Sequence, residues 1–432
     1  MKIPTKNRRR RVPVLNPAFF LIICLLISLF LTTVVSCQNY WNSDEQNDWD
    51  DITARAAQLS LEYPQSQNLL WLNDFDKTAF RGIAGSISTS YFLIREEARL
   101  IAPVTNQFYF RFYHRRFEDF RHLERSDRIE MEYRFSGGCL LGTAASGFQR
   151  KKDVDFGLFF GFRNRPDRFL RFYYIAHKFL YNEKNGDDSE YQTFPHRFLL
   201  QSIYALNPQY RLYIEAFLET PWEFHNYTSQ NSDEPQLKQG LNSSATLRFE
   251  KISDNFACGI EHNFNLEITE EHFPPSLQWR EEILENTLKA FYIMQKSASV
   301  LEINLPFSFI RENLRKTENG ITEYRRRLKL EFYPEGNYRR YLFNGVPFAE
   351  LSSMVFFRDL SQEGELEGDD NRFDTNFRIG FALGASFNRP KSLYRIEHNR
   401  PLLEMRFRVM QNLDRGWIGS FGGGSVILTA LW

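Results

Sequence analysis

From residue 105 onward, apolar and polar positions alternate with a period of two, the spacing of a β-strand with two unlike faces. In NQFYFRFYHRR, Phe108, Phe110 and Phe112 share one face, and Tyr109, Arg111, Tyr113 and Arg115 the other. RIEMEYRF sets Ile129, Met131, Tyr133 and Phe135 against Glu130, Glu132 and Arg134. EYRRRLKLEFY sets Leu328, Leu330 and Phe332 against Arg325, Arg327, Lys329 and Glu331. In RFDTNFRIGFALGASF, Phe373, Phe377, Ile379, Phe381 and Leu383 oppose Asp374, Asn376 and Arg378. In LLEMRFRVM, Leu403, Met405, Phe407 and Val409 oppose Glu404, Arg406 and Arg408.

One face is apolar and the other is charged rather than merely polar. Many runs last ten or more residues. Globular strands usually have about five or six, and a tilted strand needs about 9–11 to cross a bilayer. The pattern predicts strands near 105–116, 127–135, 139–149, 152–163, 168–180, 193–206, 209–221, 240–252, 256–268, 285–295, 298–311, 322–333, 338–358, 371–387, 392–411 and 421–432. Tight connections fall at 136–138, 164–167, 207–208, 253–255, 295–298, 334–337 (PEGN) and 388–391, and longer ones alternate with them, including 269–284. Alternating short and long connections is the habit of a barrel with short periplasmic turns and longer outer loops. The expected fold is therefore all-β: an antiparallel transmembrane β-barrel of about 16 strands, within 14–18, with a short, partly helical N-terminal segment.

The N-terminal 36 residues break this texture. Lys2, Lys6 and Arg8 to Arg11 precede an apolar run from about Ala18 to Val35, the layout of an export signal. The expected division is a signal over 1–36, a tether with short helices or a plug over 37–84, and the barrel over 85–432.

Two short motifs carry resemblances. Val34-Val35-Ser36-Cys37 resembles the lipobox of bacterial lipoproteins. That resemblance implies acylation of Cys37, cleavage before it, handling by lipoprotein-sorting machinery, and, with Gln38 following, delivery to the outer membrane. The tail SVILTALW resembles the C-terminal strand signal of bacterial outer-membrane β-barrel proteins, with Val426, Leu428, Ala430 and Trp432 in one series. It implies recognition by the barrel-assembly machinery and closure of the last strand on the first. In the other series Ile427 and Leu431 are too apolar for a wet lumen, which predicts that this strand packs on a plug or a neighbouring segment.

Composition sharpens the picture. Phe and Tyr number 42 and 20, while net charge is zero and the four Cys are too few for a disulfide scaffold. Zero net charge leaves no electrostatic footprint for nucleic acid. No metal-ligand spacing, phosphate loop or G-x-S-x-G elbow occurs, so no cofactor and no catalysis are expected. His177 is the one histidine considered as a base, and no partner for it is nameable from spacing.

The charged face carries the functional expectation. Arg111, Arg115, Glu130, Glu132, Arg134, Arg171, Arg325, Arg327, Lys329, Glu331, Arg378, Arg406 and Arg408 are expected to line a pore in contact with outer-membrane lipid only through its other face. Rings of such charge set ion preference. The expectation is porin-like passage of small hydrophilic or anionic solutes. The alternatives are a structural or assembly protein with a plugged lumen, a barrel enzyme acting on lipid or peptide, and a lipid-tethered soluble β-domain.

Overall fold

Eighteen antiparallel strands follow one another in sequence, each hydrogen-bonded to its neighbours, and the last pairs with the first to close a barrel. The computed structural model describes residue 59 and residues 61–431, apart from 74–76, 87–91, 119–122, 148–153, 166–167, 178–189, 194–195, 227–235, 274–275, 344, 367–370, 389–401 and 414–420. The expected signal, Cys37, Trp432 and all but Asn388 of the turn expected at 388–391 lie outside the described residues.

The strands are β1 (Ala79–Ser86), β2 (Phe92–Pro103), β3 (Phe108–Glu118), β4 (Leu123–Arg134), β5 (Cys139–Ser146), β6 (Asp155–Arg165) and β7 (Arg168–Ala176). Next come β8 (Glu190–Thr193 with His196–Ala205), β9 (Tyr210–Glu219 with Trp222–Asn226), β10 (Gln236–Ile252), β11 (Phe256–Phe273), β12 (Leu277–Lys296) and β13 (Ser299–Glu318). The chain ends with β14 (Ile321–Phe332 with Glu335–Tyr341), β15 (Pro347–Gly364), β16 (Arg372–Phe387), β17 (Leu402–Asn412) and β18 (Phe421–Leu431). One helix, α1 (Gln65–Asn73), precedes them.

The count is 18 rather than about 16, and the missing pair is the hairpin β1–β2. The first barrel strand starts at Ala79, before the expected boundary at residue 85. β1 reads AFRGIAGS and shows no alternation because both of its faces are buried, Phe80 and Ile83 alike. It takes strand form because it pairs on both sides, with β2 and with β18.

The turn expected at PEGN is also corrected. Residues 333–334 continue β14 in extended register between β13 and β15. Pro334 has no N–H to donate, which interrupts the ladder without ending the strand; its carbonyl still accepts from Val355 N at 3.1 Å. The real turn lies at 342–346, where Gly345 takes φ +80°. The stretch 269–284 is no long loop either: β11 and β12 pair through Phe273 and Leu277.

Outward positions are apolar and exposed, including Met131, Leu141, Phe160, Leu218, Ile260, Leu305, Leu351, Phe381 and Phe407. A continuous apolar band of this extent is far beyond the patches tolerated on a water-soluble surface. Inward positions carry the charged series, mostly buried. Four inward glycines stand directly across from an aromatic: Gly142 from Phe159, Gly240 from Trp222, Gly259 from Phe291 and Gly384 from Phe348. A Cβ at Gly142 would lie 2.2 Å from the Phe159 ring. The ring occupies the space a side chain would take, the arrangement that lets a sheet curve sharply without losing its inner packing.

Candidate functional site

The helix α1 sits inside the barrel. Its leading segment packs Leu61 and Tyr63 against Ile83, Leu93 and Ile427, and its far end packs Leu70 and Trp71 against Ala79, Leu402 and Leu431. These wall residues all point inward, so Ile427 and Leu431 are apolar because they face this segment rather than water.

Polar bonds fix the helix in place. Glu302 of β13 accepts from Gln65 N at 2.9 Å and from the Ser66 hydroxyl. Gln65 N is a free backbone donor at the helix N-terminus, so a wall carboxylate caps the helix where its dipole favours negative charge. Gln67 donates to Glu404 at 2.9 Å and accepts from the Thr429 hydroxyl at 2.9 Å. The Arg81 guanidinium lies over the Tyr63 ring at 4.2 Å and the Trp71 ring at 4.4 Å, and donates to Asn68 at 2.7 Å. Its Nε donates to Glu97 at 2.7 Å. Arg99 donates to the Trp71 carbonyl at 3.2 Å. Burial pushes the Tyr63 phenol above its ordinary pKa, so it stays neutral and donates to the Arg95 carbonyl at 3.1 Å.

Two ionic clusters fill the wall around this level. On β3, β4 and β7, Glu132 accepts from Arg111 at 3.1 Å, Arg134 at 2.6 Å and Arg171 at 2.8 Å. Glu130 pairs with Arg128 at 3.0 Å and accepts from Tyr173 at 3.1 Å. On β14, β15 and β17, Arg339 donates to Glu350 and Glu404, both at 2.9 Å, and Arg406 pairs with Glu350. Arg111, Glu130, Glu132, Arg171 and Arg406 have no more than 1% of their surface exposed, so the lumen here is close-packed, not open.

Toward the opposite end of the lumen lie two cavities. One of about 720 Å³ is lined by Trp71, Tyr113, Arg115, Arg128, Arg197 and Glu215 among others. The second, of about 420 Å³, lies between the segment 59–62 and the inner faces of β10, β11 and β12.

All thirteen residues expected at the pore wall fall on the inward face. Arg115 opens into the larger cavity. Arg327 and Lys329 reach Glu312, at 3.8 and 2.8 Å, and Glu331, Arg378 and Arg408 are buried. Arg325 lies in register with Leu314 of β13 and Gly364 of β15. Val426, Leu428 and Ala430 form the outward series of β18. The alternation missed Arg81, Glu302, Arg339 and Glu350, which hold the helix or its wall. Arg339 escaped because NYRRYLF places arginine on both faces.

His177 has partners: Nδ1 lies 3.0 Å from Asp155, and Nε2 lies 3.6 Å from Glu219. Ser146 also donates to Asp155, at 3.1 Å. Serine and histidine thus share a carboxylate instead of bonding to each other, which is not the nucleophile–base contact of a hydrolase. Cys139 and Cys258 are free thiols.

No protein-family model matches the chain, and no curated protein matches it. Among solved structures it is similar to a bacterial polysaccharide outer membrane secretin, with 11% identity and a TM-score of 0.35 over 82% of this chain and 96% of that one. It is also similar to outer-membrane expressed OmpT of Vibrio cholerae, with 7% identity and a TM-score of 0.35 over 82% and 96%. OccK10 of Pseudomonas aeruginosa gives 8% identity and a TM-score of 0.30 over 83% and 98%. At these values the likeness carries no argument about function.

Proposed function

We propose that this chain spans a bacterial outer membrane as a barrel whose charged lumen is shut by the segment 59–73, and that small hydrophilic or anionic solutes pass when that segment leaves. The observation that carries the reading is α1 docked inside a closed wall with an apolar exterior. Eighteen strands enclose enough room for an aqueous channel once nothing fills it. The exterior band has the character of a lipid-facing surface. We read the end where β1 begins as the periplasmic one, the side expected for a lipid at Cys37, because connections there such as 104–107, 253–255 and 297–298 are short. The Ser146–Asp155–His177 arrangement gives no support to catalysis, and the barrel is read as a passage rather than an enzyme.

The test is conductance in planar bilayers. The intact chain should be closed for most of the record. Deletion of residues 59–73 should open a steady aqueous conductance. The number of bonds that hold α1 favours a second reading, a permanently plugged structural or assembly protein. A deletion variant that folds, shows heat-dependent gel mobility and still does not conduct would select that reading.

A further inference from the structure

Most of the lumen wall is built of arginine–glutamate pairs, but one panel is not. Across β10, β11, β12 and β13 the residues Thr246, Asn263, Thr287 and Ser308 stand directly opposite one another. This row satisfies itself: Thr246 donates to Asn263 at 2.8 Å, and Thr287 and Ser308 bond at 2.7 Å. The next row outward is Ser244, Asn265 and Glu285, again directly opposite one another. Their side chains make no hydrogen bond or ion pair among the described residues, and all three line the cavity of about 420 Å³. The facing side is largely apolar and aromatic, with Leu61, Leu93, Phe117 and Tyr333, and carries two charged side chains, Glu62 and Arg95.

We propose that this cavity binds a neutral, hydroxylated ring compound of the saccharide class. Free amide, hydroxyl and carboxylate groups on one wall match a ring edge rich in hydroxyls. The apolar wall matches the ring's C–H face. The volume lies within the range of small-molecule sites. An anion is disfavoured beside Glu285, unpaired among the described residues, and the nearby Glu62, because the one cation in the lining, Arg95, already faces Glu97 at 3.7 Å. This inference rests on the lumen being a solute path and names the class of solute that this part of it holds.

The cavity also has a consequence for the plug. Leu59, Leu61 and Glu62 form part of its lining, so the site is complete only while that segment is docked. A ligand bound there favours the docked state, and by linkage docking raises the ligand's affinity. Saccharide at this site therefore holds the barrel shut rather than opening it.

The experiment is calorimetric titration of the full chain, refolded in detergent, with maltose, gluconate and glucosamine as probes. Maltose binding is expected, with gluconate at least tenfold weaker. Asn265→Leu and Ser244→Val should each weaken maltose roughly tenfold or more, through lost hydrogen bonds and an apolar group set against hydroxyls. Arg115→Gln, in the larger cavity, should leave maltose binding unchanged. Deletion of 59–73 should abolish it. Binding of gluconate as tight as maltose, or maltose binding unaffected by both wall variants, overturns the proposal. So does absence of maltose binding by a chain that retains heat-dependent gel mobility. Loss of that mobility shift in the intact chain would instead sink the barrel reading beneath it.

Discussion

Arg81 joins the wall to the plug more directly than any other described side chain, and Arg81→Lys should loosen the plug while sparing the barrel. Lysine keeps a positive charge within reach of Glu97, so the inward carboxylate is not left alone; Arg95 also lies 3.7 Å from it. What lysine cannot keep is the planar fork that lies over Tyr63 and Trp71 while bonding to Asn68. A hydrogen bond from a charged donor contributes about 1.5–3 kcal/mol. Each cation–π contact contributes about 0.5–2 kcal/mol, more when desolvated. If lysine retains roughly half of this set, docking weakens by about 2–3 kcal/mol, because Arg81 is nearly buried with its side chain 10% exposed. That corresponds to a roughly 30- to 150-fold rise in the released-to-docked ratio. Single-channel recording reads the ratio as open time. The variant should open far more often than the parent at the same voltage, with unchanged conductance per opening. Unchanged open time, in a variant whose gel mobility is normal, would refute Arg81 as the fastening point.

Three further outcomes follow from the wall itself. Glu132→Gln leaves Arg111, Arg134 and Arg171 without their shared charge, and breaking a buried ionic cluster costs about 3–5 kcal/mol; the urea midpoint for unfolding from detergent should fall clearly below the parent's. Gly142→Val places carbon where the Phe159 ring lies, at 2.2 Å from the Cβ position, and should block assembly, seen as loss of the heat-resistant gel band. Gly320→Val forces a β-branched side chain into φ +81° at a strain of about 1–3 kcal/mol. The tip is remote from the plug, so protease cleavage near 319–320 should increase while thermal unfolding and conductance stay as in the parent.

Much of the architecture is written in the alternation. From Phe108 onward the apolar series faces out and the charged series in, and the oddly apolar Ile427 and Leu431 point to a packed segment that turns out to be 61–73. What alternation cannot show is a strand with two buried faces. β1 is such a strand, and its glycines admit close approach: a Cβ at Gly85 would lie 2.8 Å from the Gly424 carbonyl. β2 lacks a clear strand signal for another reason, since REEARL has the composition of a helix and becomes a strand only through tertiary pairing. PEGN has turn chemistry but sits between two strands that hold it straight. Asn319-Gly320 is one of three Asn-Gly pairs in the chain, a short hairpin signal. It joins β13 to β14 with φ of 52° and 81°, in a stretch left between expected strands. Gln65 and Gln67 on the plug carried no signal, because their partners Glu302 and Glu404 lie more than two hundred positions away.

The strands differ greatly in length: β12 and β13 have 20 residues each, whereas β1 and β5 have 8 and β7 has 9. At about 3.3 Å per residue, β12 runs roughly 66 Å and β7 roughly 30 Å. The outward apolar series on the long strands ends at Leu284, Phe309 and Leu328, and the remainder carries Arg280, Arg311 and Arg326 on that face. Among the described residues, one flank of the mouth is thus a tall hydrated fence and the other a low sill. Diffusing molecules do not meet that mouth equally from all directions. If solutes pass as proposed, the described strands of the lower flank would bring them to the basic cavity near Arg115 over a shorter climb than the fence requires.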